Sequence, residues 1–350
     1  MKMKAAMFEK PDVITIKEIP VPDINDNEVL IKVKYTGICG TDWSIYKGYY
    51  SSDKLPLVAG HEFSGVVTKV GKNAQGLKEG DRVTADINLS CGTCFYCRRG
   101  QKLLCPEFTQ LGIHTHGSYA EYVKAPWEQV HILPENLDFL SGAFIEPVSC
   151  VIHSSKAAEI KIGSSVAVIG CGLGILHARL AMLRGAAPVI IFGDNEKRLQ
   201  IARDMGVDYA ININEKPDMI AETLKLTGGR GADYVIEAVG LKKTYEDAFK
   251  MVRKGGRVVG FGIAANGVEI SVNPSEMVLG EKTFASSCAG VGVDWLDSMA
   301  LLAHGRIKPE KMFSMIVPLE ELEAALHELK TNPDLIKVFV SSEIKERQVF

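Results

Sequence analysis

Four cysteines lie close together in the sequence at the spacing of metal ligands. Cys91, Cys94, Cys97 and Cys105 follow the pattern C-x2-C-x2-C-x7-C in a stretch that also holds glycine and arginine. Tight turns between such cysteines bring their sulfurs onto one tetrahedral ion, and four thiolates fill its coordination sphere. We predict a structural zinc site that holds this lobe together. Iron–sulfur ligation, which has similar spacing, is the alternative.

A second group of residues has the chemistry of an open metal site. Cys39 stands in the segment GICGTDW after an apolar run, and His61 and Glu62 lie side by side in AGHEFSG. Glu146 lies among apolar residues, where a carboxylate is costly to bury unless it is paired or binds metal. We predict that these four residues surround one zinc ion, with water or substrate as an exchanging ligand. Such an ion lowers the pKa of a hydroxyl, which prepares an alcohol to lose hydride.

Strand and helix signals alternate from about residue 160 onwards, which predicts a parallel, doubly wound sheet. The candidate strands are 165–169, 188–192, 209–213, 234–237, 257–260 and 283–285, and a candidate helix spans 175–184. Such a sheet is typical of domains that bind dinucleotides.

Glycines follow the first of these strands. Gly170, Gly172 and Gly174 would let a pyrophosphate approach the backbone at the start of the next helix. Asp194 lies 24 residues after Gly170, about where an acid binds the adenosine ribose. The third glycine of the usual motif would fall at 175, which is Ile, so a glycine-rich turn of an unrelated α/β domain is the alternative.

Composition excludes several classes of protein. The chain has 350 residues, of which 46% are hydrophobic and 24% charged, so it is not a disordered polymer. The formal charge of −3 offers no basic excess for nucleic acid or anionic membranes. No apolar run approaches the roughly 18 residues of a membrane span. Charged residues and Pro11 interrupt any signal-like core near the N-terminus, so we expect a cytoplasmic protein whose cysteines stay reduced.

Over essentially its whole length the sequence resembles the zinc-dependent medium-chain alcohol dehydrogenase superfamily. The resemblance is most specific in Gly60-His61-Glu62, followed by Gly65, Gly71 and Ala74, and in the four-cysteine lobe. Glu62 and the stretch 145–149 look most like the polyol branch, which includes sorbitol, xylitol and arabitol-type dehydrogenases and arabitol-phosphate dehydrogenase. The resemblance implies an α/β fold with a GroES-like, mainly-β catalytic domain over 1–150. A Rossmann doubly wound parallel sheet would span 151–289, and 290–350 would return to the catalytic domain.

The resemblance also implies roles for single residues near the metal. Glu62 and Glu146 would take part in catalysis, and Glu146 would bind zinc directly or through water. Thr41 would pass on the substrate proton, and Asp42 would orient the zinc histidine. Many relatives carry histidine at the position of Ser44, so the outer proton relay would run through Ser44, Tyr46 or water.

Cofactor contacts are implied in the same way. They fall on Gly170, Gly172, Gly174, Asp194, Arg198, Val239, Gly240, Phe261, Gly262 and Cys288. The acid that usually selects NAD aligns with Gly193, and Asp194 follows it, so we favour NAD and keep NADP as the alternative. Tyr119 matches a position that often lines the substrate pocket, although packing alone explains it nearly as well.

The leading hypothesis is an enzyme with two zinc ions per chain that transfers hydride from a polyol or sugar-alcohol phosphate to NAD(P). The product would be a ketose or keto-sugar phosphate, and Lys47 and Lys54 are candidates to meet a substrate phosphate. An L-threonine or butanediol-type dehydrogenase is the first alternative, and a non-catalytic relative with the same fold is the second. We expect a homodimer or homotetramer and no nucleic-acid or membrane partner. Cys150, Cys171 and Cys288 are predicted to be buried small residues.

Overall fold

The computed structural model describes residues 1–350. Nineteen strands occur along the chain: β1 Lys2–Lys10, β2 Val13–Pro20, β3 Glu28–Gly37, β4 Leu57–Val58, β5 Glu62–Val70, β6 Arg82–Ala85, β7 Asn88–Leu89, β8 Thr109–Gln110, β9 Tyr122–Pro126, β10 Val130–Ile132, β11 Val166–Ile169, β12 Val189–Gly193, β13 Tyr209–Asn212, β14 Ala232–Glu237, β15 Val252–Gly260, β16 Thr283–Ser286, β17 Phe313–Pro318, β18 Lys337–Ser341 and β19 Gln348–Val349.

Eleven α-helices accompany these strands: α1 Gly40–Tyr46, α2 Phe95–Arg98, α3 Phe139–Ala143, α4 Ile145–Ala158, α5 Gly174–Leu183, α6 Glu196–Asp204, α7 Met219–Leu226, α8 Lys242–Met251, α9 Pro274–Leu279, α10 Val293–Ala303 and α11 Leu322–Thr331. Five short 3₁₀ helices lie at Ser52–Lys54, Lys102–Leu104, Trp127–Gln129, Pro309–Met312 and Leu319–Glu321. None of the helices is long and apolar enough to cross a membrane.

The chain divides into two compact units, of which the first is built from two separate segments. It comprises Met1–Ser149 and Val291–Phe350. Its eight-stranded sheet runs β10-β6-β5-β3-β18-β17-β19, with β9 also paired to β3, and β2-β1-β4 form a smaller sheet. Side chains alternate across β3, so that Val29, Ile31 and Val33 are buried in the core.

The second unit, Cys150–Gly290, contains one sheet of six parallel strands. Its strand order is β13-β12-β11-β14-β15-β16, the order of a dinucleotide-binding sheet. The order reverses between β11 and β14, and ligands of such sheets bind beyond the carboxyl ends of the strands at that point. All six strands predicted from the sequence are present, as is the helix after the first of them, which begins one residue earlier than predicted, at Gly174.

Candidate active site

The first unit brings the predicted ligands Cys39, His61 and Glu62 together. Antiparallel pairing of β3 with β5 sets Gly37 opposite Glu62, so Cys39, just after β3, meets the residues that begin β5. One ligand atom from each of the three residues lies within 4.8 Å of the other two. His61 and Glu62 are buried. A thiol, an imidazole and a carboxylate in this arrangement fit the ligand preferences of zinc.

Asp42 lies directly behind His61. Its Oδ1 is 3.4 Å from His61 Nδ1, and both side chains are buried. Burial opposes protonation of the imidazole, but the charges of Asp42 and Cys39 outweigh it and raise the pKa of His61 well above its usual value. Surroundings that favour a proton at this position also favour a metal cation.

Lys337 is a neighbour of the cluster that sequence reasoning missed. Its strand, β18, pairs with β3 beside the start of the Cys39 segment. Its Nζ donates to Glu62 Oε2 at 2.6 Å and to the Ile38 carbonyl at 3.1 Å. Burial lowers the pKa of Lys337, but the charges of Glu62 and Cys39 outweigh that effect and raise it. Lys337 therefore stays a cation and compensates the buried carboxylate.

Glu146 and Thr41 occupy the borders of the cluster. Glu146 lies in the first turn of α4 and is buried, but it is not one of the three residues whose ligand atoms converge. Its charge contributes to the raised pKa of Lys337. Thr41 Oγ1 lies 3.7 Å from Cys39 Sγ.

The candidates for the outer proton relay have partners of their own. The Tyr46 hydroxyl donates to Glu323 at 2.7 Å, and Ser44 Oγ donates to the Gly40 carbonyl.

The four cysteines of the lobe also converge. One ligand atom from each of Cys91, Cys94, Cys97 and Cys105 lies within 4.8 Å of the others. The backbone amides of Thr93 and Cys94 lower the pKa of the Cys91 thiol to about 6, so a thiolate is favoured. Four sulfurs at these distances match the donor set of a closed zinc site.

A buried carboxylate, Asp86, anchors this lobe to the rest of the first unit. It accepts a hydrogen bond from Lys102 Nζ in the lobe at 2.5 Å and one from the Gly292 amide at 2.9 Å. Asn88 donates to the other oxygen. The lobe is thus tied both to the first segment of the unit and to the start of the second.

In the second unit, the predicted glycines lie between β11 and α5. Gly170 has a φ of +108°, and a Cβ there would lie 2.8 Å from Val239 Cγ2. Gly172 is open, because a Cβ would meet nothing within 4 Å, and Gly174 begins α5. The amide end of a helix is therefore accessible beside a small-residue turn, which suits a pyrophosphate.

Glu237, which sequence reasoning also missed, organises the loop after β14. It is fully buried and accepts hydrogen bonds from the amides of Val239 at 3.0 Å and Gly240 at 2.9 Å, and from Thr244 Oγ1 at 2.7 Å. A Cβ on Gly262 would lie 2.7 Å from Glu237 Oε2. Two of the predicted cofactor residues, Val239 and Gly240, thus take their positions from one carboxylate, and the Gly262 amide donates to the Glu237 backbone carbonyl at 3.0 Å.

Two further predicted cofactor residues have distinct environments. Phe261 packs against the ring of His177 at 4.4 Å, and burial lowers the pKa of His177 to about 3, so this imidazole is neutral. Cys288 is exposed, and the prediction that it is a buried small residue was wrong. It follows β16, the strand at the edge of the six-stranded sheet.

The end of β12 explains why the acid stands at 194 rather than 193. A Cβ on Gly193 would lie 2.6 Å from Cys171 Cβ and 3.1 Å from Leu199 Cδ2, and it would also overlap Cys171 Sγ. The buried Cys171 therefore leaves no room for a side chain at 193. Asp194 is exposed, with Oδ1 3.8 Å from Cys171 Sγ, and Arg198 N donates to Asn195 Oδ1 at the start of α6.

We expect Gly193→Ala to lower the free energy of unfolding by about 1–3 kcal/mol, because a methyl group there overpacks the contact with Cys171 at the end of β12. Removal of the opposing side chain in Cys171→Gly/Gly193→Ala should recover part of the loss. Urea unfolding measures both variants. If Gly193→Ala unfolded at the same urea concentration as the unmodified protein, the packing argument would be wrong.

Comparisons with known proteins identify relatives over nearly the whole chain. Residues 25–135 match the family model of the alcohol dehydrogenase GroES-like domain, and residues 172–304 match that of the zinc-binding dehydrogenases. D-Arabitol-phosphate dehydrogenase of Enterococcus avium is 32% identical over 98% of this chain and 99% of its own. L-Threonine 3-dehydrogenase of Bacillus velezensis is 34% identical over 92% of this chain and 94% of its own.

Solved structures give the same result. A zinc-binding dehydrogenase of Sinorhizobium meliloti 1021 bound to NADP superimposes with a TM-score of 0.91 at 31% sequence identity. The match covers 97% of this chain and 99% of the other. Fold and sequence therefore point to the same group of proteins.

Proposed function

The chain belongs to the zinc-dependent medium-chain dehydrogenases, and on that premise we propose that it oxidises a secondary hydroxyl of a polyol or sugar-alcohol phosphate. It is a zinc-dependent alcohol dehydrogenase acting on CH–OH groups, with a nicotinamide cofactor as hydride acceptor. The product would be a ketose or a keto-sugar phosphate. The observation that carries the proposal is the convergence of Cys39, His61 and Glu62.

In this proposal different residues of the first unit bind metal and transfer the proton. Cys39, His61 and Glu62 would hold the catalytic zinc, and Glu146 would join them directly or through water. When bound, zinc supplies the Lewis acidity that lowers the pKa of the substrate hydroxyl. Thr41, whose Oγ1 lies 3.7 Å from Cys39 Sγ, passes on the hydroxyl proton. The four-cysteine lobe would hold a second, structural zinc.

In the second unit we assign the pyrophosphate to the turn of Gly170, Gly172 and Gly174 at the start of α5. Asp194 would bind the adenosine ribose and disfavour a 2′-phosphate, while Arg198 would partly offset that repulsion. Val239, Gly240, Phe261, Gly262 and Cys288 would border the rest of the cofactor. We favour NAD over NADP on the charge of Asp194, and the NADP bound to the S. meliloti relative supports the alternative.

The class of substrate is the more specific part of the proposal. Glu62 beside His61, together with Glu146, is typical of the polyol branch, and the relative named D-arabitol-phosphate dehydrogenase supports this class. Lys47 and Lys54, the candidates to meet a phosphate, form ion pairs with Asp12 and Asp53. A substrate phosphate would have to displace these partners, which favours a free polyol.

The test is a substrate panel on protein of measured zinc content. Initial rates of NAD and NADP reduction are compared for free polyols, phosphorylated polyols, threonine and butanediol. We expect kcat/KM for the best polyol to exceed that for threonine about a hundredfold, because threonine would bring an ammonium and a carboxylate into the site, and burying such charges without partners is costly. Equal rates for chelated and zinc-loaded protein would contradict the mechanism.

A second candidate function is an L-threonine or butanediol-type dehydrogenase. The relative named L-threonine 3-dehydrogenase is as similar to this chain as the polyol enzymes are. A preference for threonine in the same panel would establish that alternative. A cytoplasmic location and assembly into a homodimer or homotetramer also belong to the proposal, and the mass of the protein in solution tests the assembly.

A further inference from the structure

Tyr119 lies beneath both segments that carry the clustered ligands. It stands in the loop between β8 and β9, is fully buried, and stacks on Phe8 with ring centroids 6.2 Å apart and an interplanar angle of 9°. The interpretation that it lines a substrate pocket is therefore wrong, because a buried ring with these neighbours presents no surface to a substrate.

The hydroxyl of Tyr119 is directed at the segment of Cys39. It donates to Asp42 Oδ2 at 2.7 Å, and the Gly37 carbonyl lies farther away at 3.3 Å. The same Asp42 oxygen accepts the Cys39 amide at 2.8 Å. Two donors thus fix Oδ2 and leave Oδ1 to face His61 Nδ1. Burial, and after it the charge of Asp42, raises the pKa of Tyr119 well above its usual value, so the phenol keeps its proton.

The backbone and ring of Tyr119 also define the segment of His61. Its amide donates to the Ala59 carbonyl at 2.9 Å. A Cβ on Gly60 would lie 2.9 Å from Tyr119 Cγ, so the residue before His61 packs directly on the ring. One side chain therefore touches the ligand segments 37–42 and 59–61 at the same time.

We infer that Tyr119 is a positioning residue for the metal: its hydroxyl fixes the Asp42 carboxylate, which in turn fixes the imidazole of His61. This inference rests on the proposed zinc site of Cys39, His61 and Glu62. Groups that orient a ligand from behind typically change metal affinity 10–100-fold when they are removed. Tyr119→Phe keeps the stacked ring and removes only the hydroxyl, which donates to Asp42 and lies 3.3 Å from the Gly37 carbonyl.

Tyr46 provides a matched control in the same unit. It is also buried, its ring contacts the edge of Phe8, and its hydroxyl donates to a carboxylate, that of Glu323, at 2.7 Å. Tyr46→Phe therefore removes the same atom from a similar environment without touching Asp42. Both variants should lower the melting temperature to a similar extent, so stability alone does not distinguish them.

The experiment measures how much metal the protein retains and does not use enzymatic turnover. Zinc-loaded wild type, Tyr119→Phe, Tyr46→Phe and Cys39→Ser are dialysed against graded chelator, and the zinc retained per chain is determined; cobalt-substituted samples give absorption spectra. We expect Tyr119→Phe to lose one equivalent at about tenfold lower chelator than wild type or Tyr46→Phe, and its cobalt spectrum to change.

The remaining outcomes contradict the inference in different ways. Identical zinc retention and cobalt spectra in Tyr119→Phe and Tyr46→Phe would overturn the role of Tyr119 and leave the proposed function standing. Equal zinc content and identical cobalt spectra in wild type and Cys39→Ser would overturn both, because removal of a thiolate ligand from the bound metal must change the cobalt spectrum.

Discussion

Cys39→Ser is expected to lower kcat by about three orders of magnitude while the protein still folds and binds NADH. A metal that polarises the substrate oxygen contributes several kcal/mol to the transition state, and each 1.36 kcal/mol corresponds to a factor of ten. Serine is a poor ligand for zinc in place of a thiolate. The fold should persist because residue 39 precedes α1, and serine is among the preferred residues at that position.

Steady-state rates, zinc per chain and NADH affinity check this prediction together. Cys150→Ser is the control, since it removes a partly buried thiol in α4 that has no assigned ligand role. We expect the control to keep two zinc equivalents and Cys39→Ser to keep one. Activity of Cys39→Ser within tenfold of wild type would exclude Cys39 as a ligand of the catalytic ion.

The second large effect is expected from Lys337→Met, which should lower the free energy of unfolding by about 3–5 kcal/mol. The Glu62 carboxylate lies in a buried site, and Lys337 Nζ at 2.6 Å is its compensating cation. Removing one partner of a buried pair leaves an uncompensated charge, whereas removing both does not. The double variant Lys337→Met/Glu62→Gln should therefore recover most of the loss.

Urea unfolding in the presence of a chelator measures these variants, because zinc bound to Glu62 would itself compensate the carboxylate and its loss from the Glu62→Gln variant would add a second effect. Lys34→Met is the control, because Lys34 pairs with Glu343 at the surface and such pairs contribute about 0–1 kcal/mol. A loss below about 1 kcal/mol for Lys337→Met would mean that Glu62 is compensated by another group, and the pairing argument would be wrong.

Local patterns predicted much of the fold. The strands of the second unit are short, apolar and bounded by glycine or charged residues, so sequence alone located all six of them. The cysteine spacing predicted the lobe, because its ligands are neighbours in the chain. For Cys39 and the His61–Glu62 pair, residue types and family resemblance suggested a partnership that the pairing of β3 with β5 brings about.

What the sequence did not reveal depends on contacts between distant segments. Lys337 is 275 residues from Glu62, and in the segment DLIKVFV it looks like an ordinary charged residue of a strand. Glu237 ends an apolar strand with no visible partner, since the amides it binds belong to the backbone of the next turn. Tyr119, in the loop between β8 and β9, contacts the segments 37–42 and 59–61. No periodicity in the sequence indicates these contacts.

The discontinuity of the first unit has a consequence for biosynthesis. The Cys39 segment and β5 leave the ribosome early, but β18, which covers β3 and brings the cation for Glu62, follows only 275 residues after that carboxylate. The second unit is one continuous segment and can fold in the interval, as domains do during translation. The nascent chain therefore holds an incomplete sheet with an open edge, and the Glu62 carboxylate gains its compensating cation only when β18 is available.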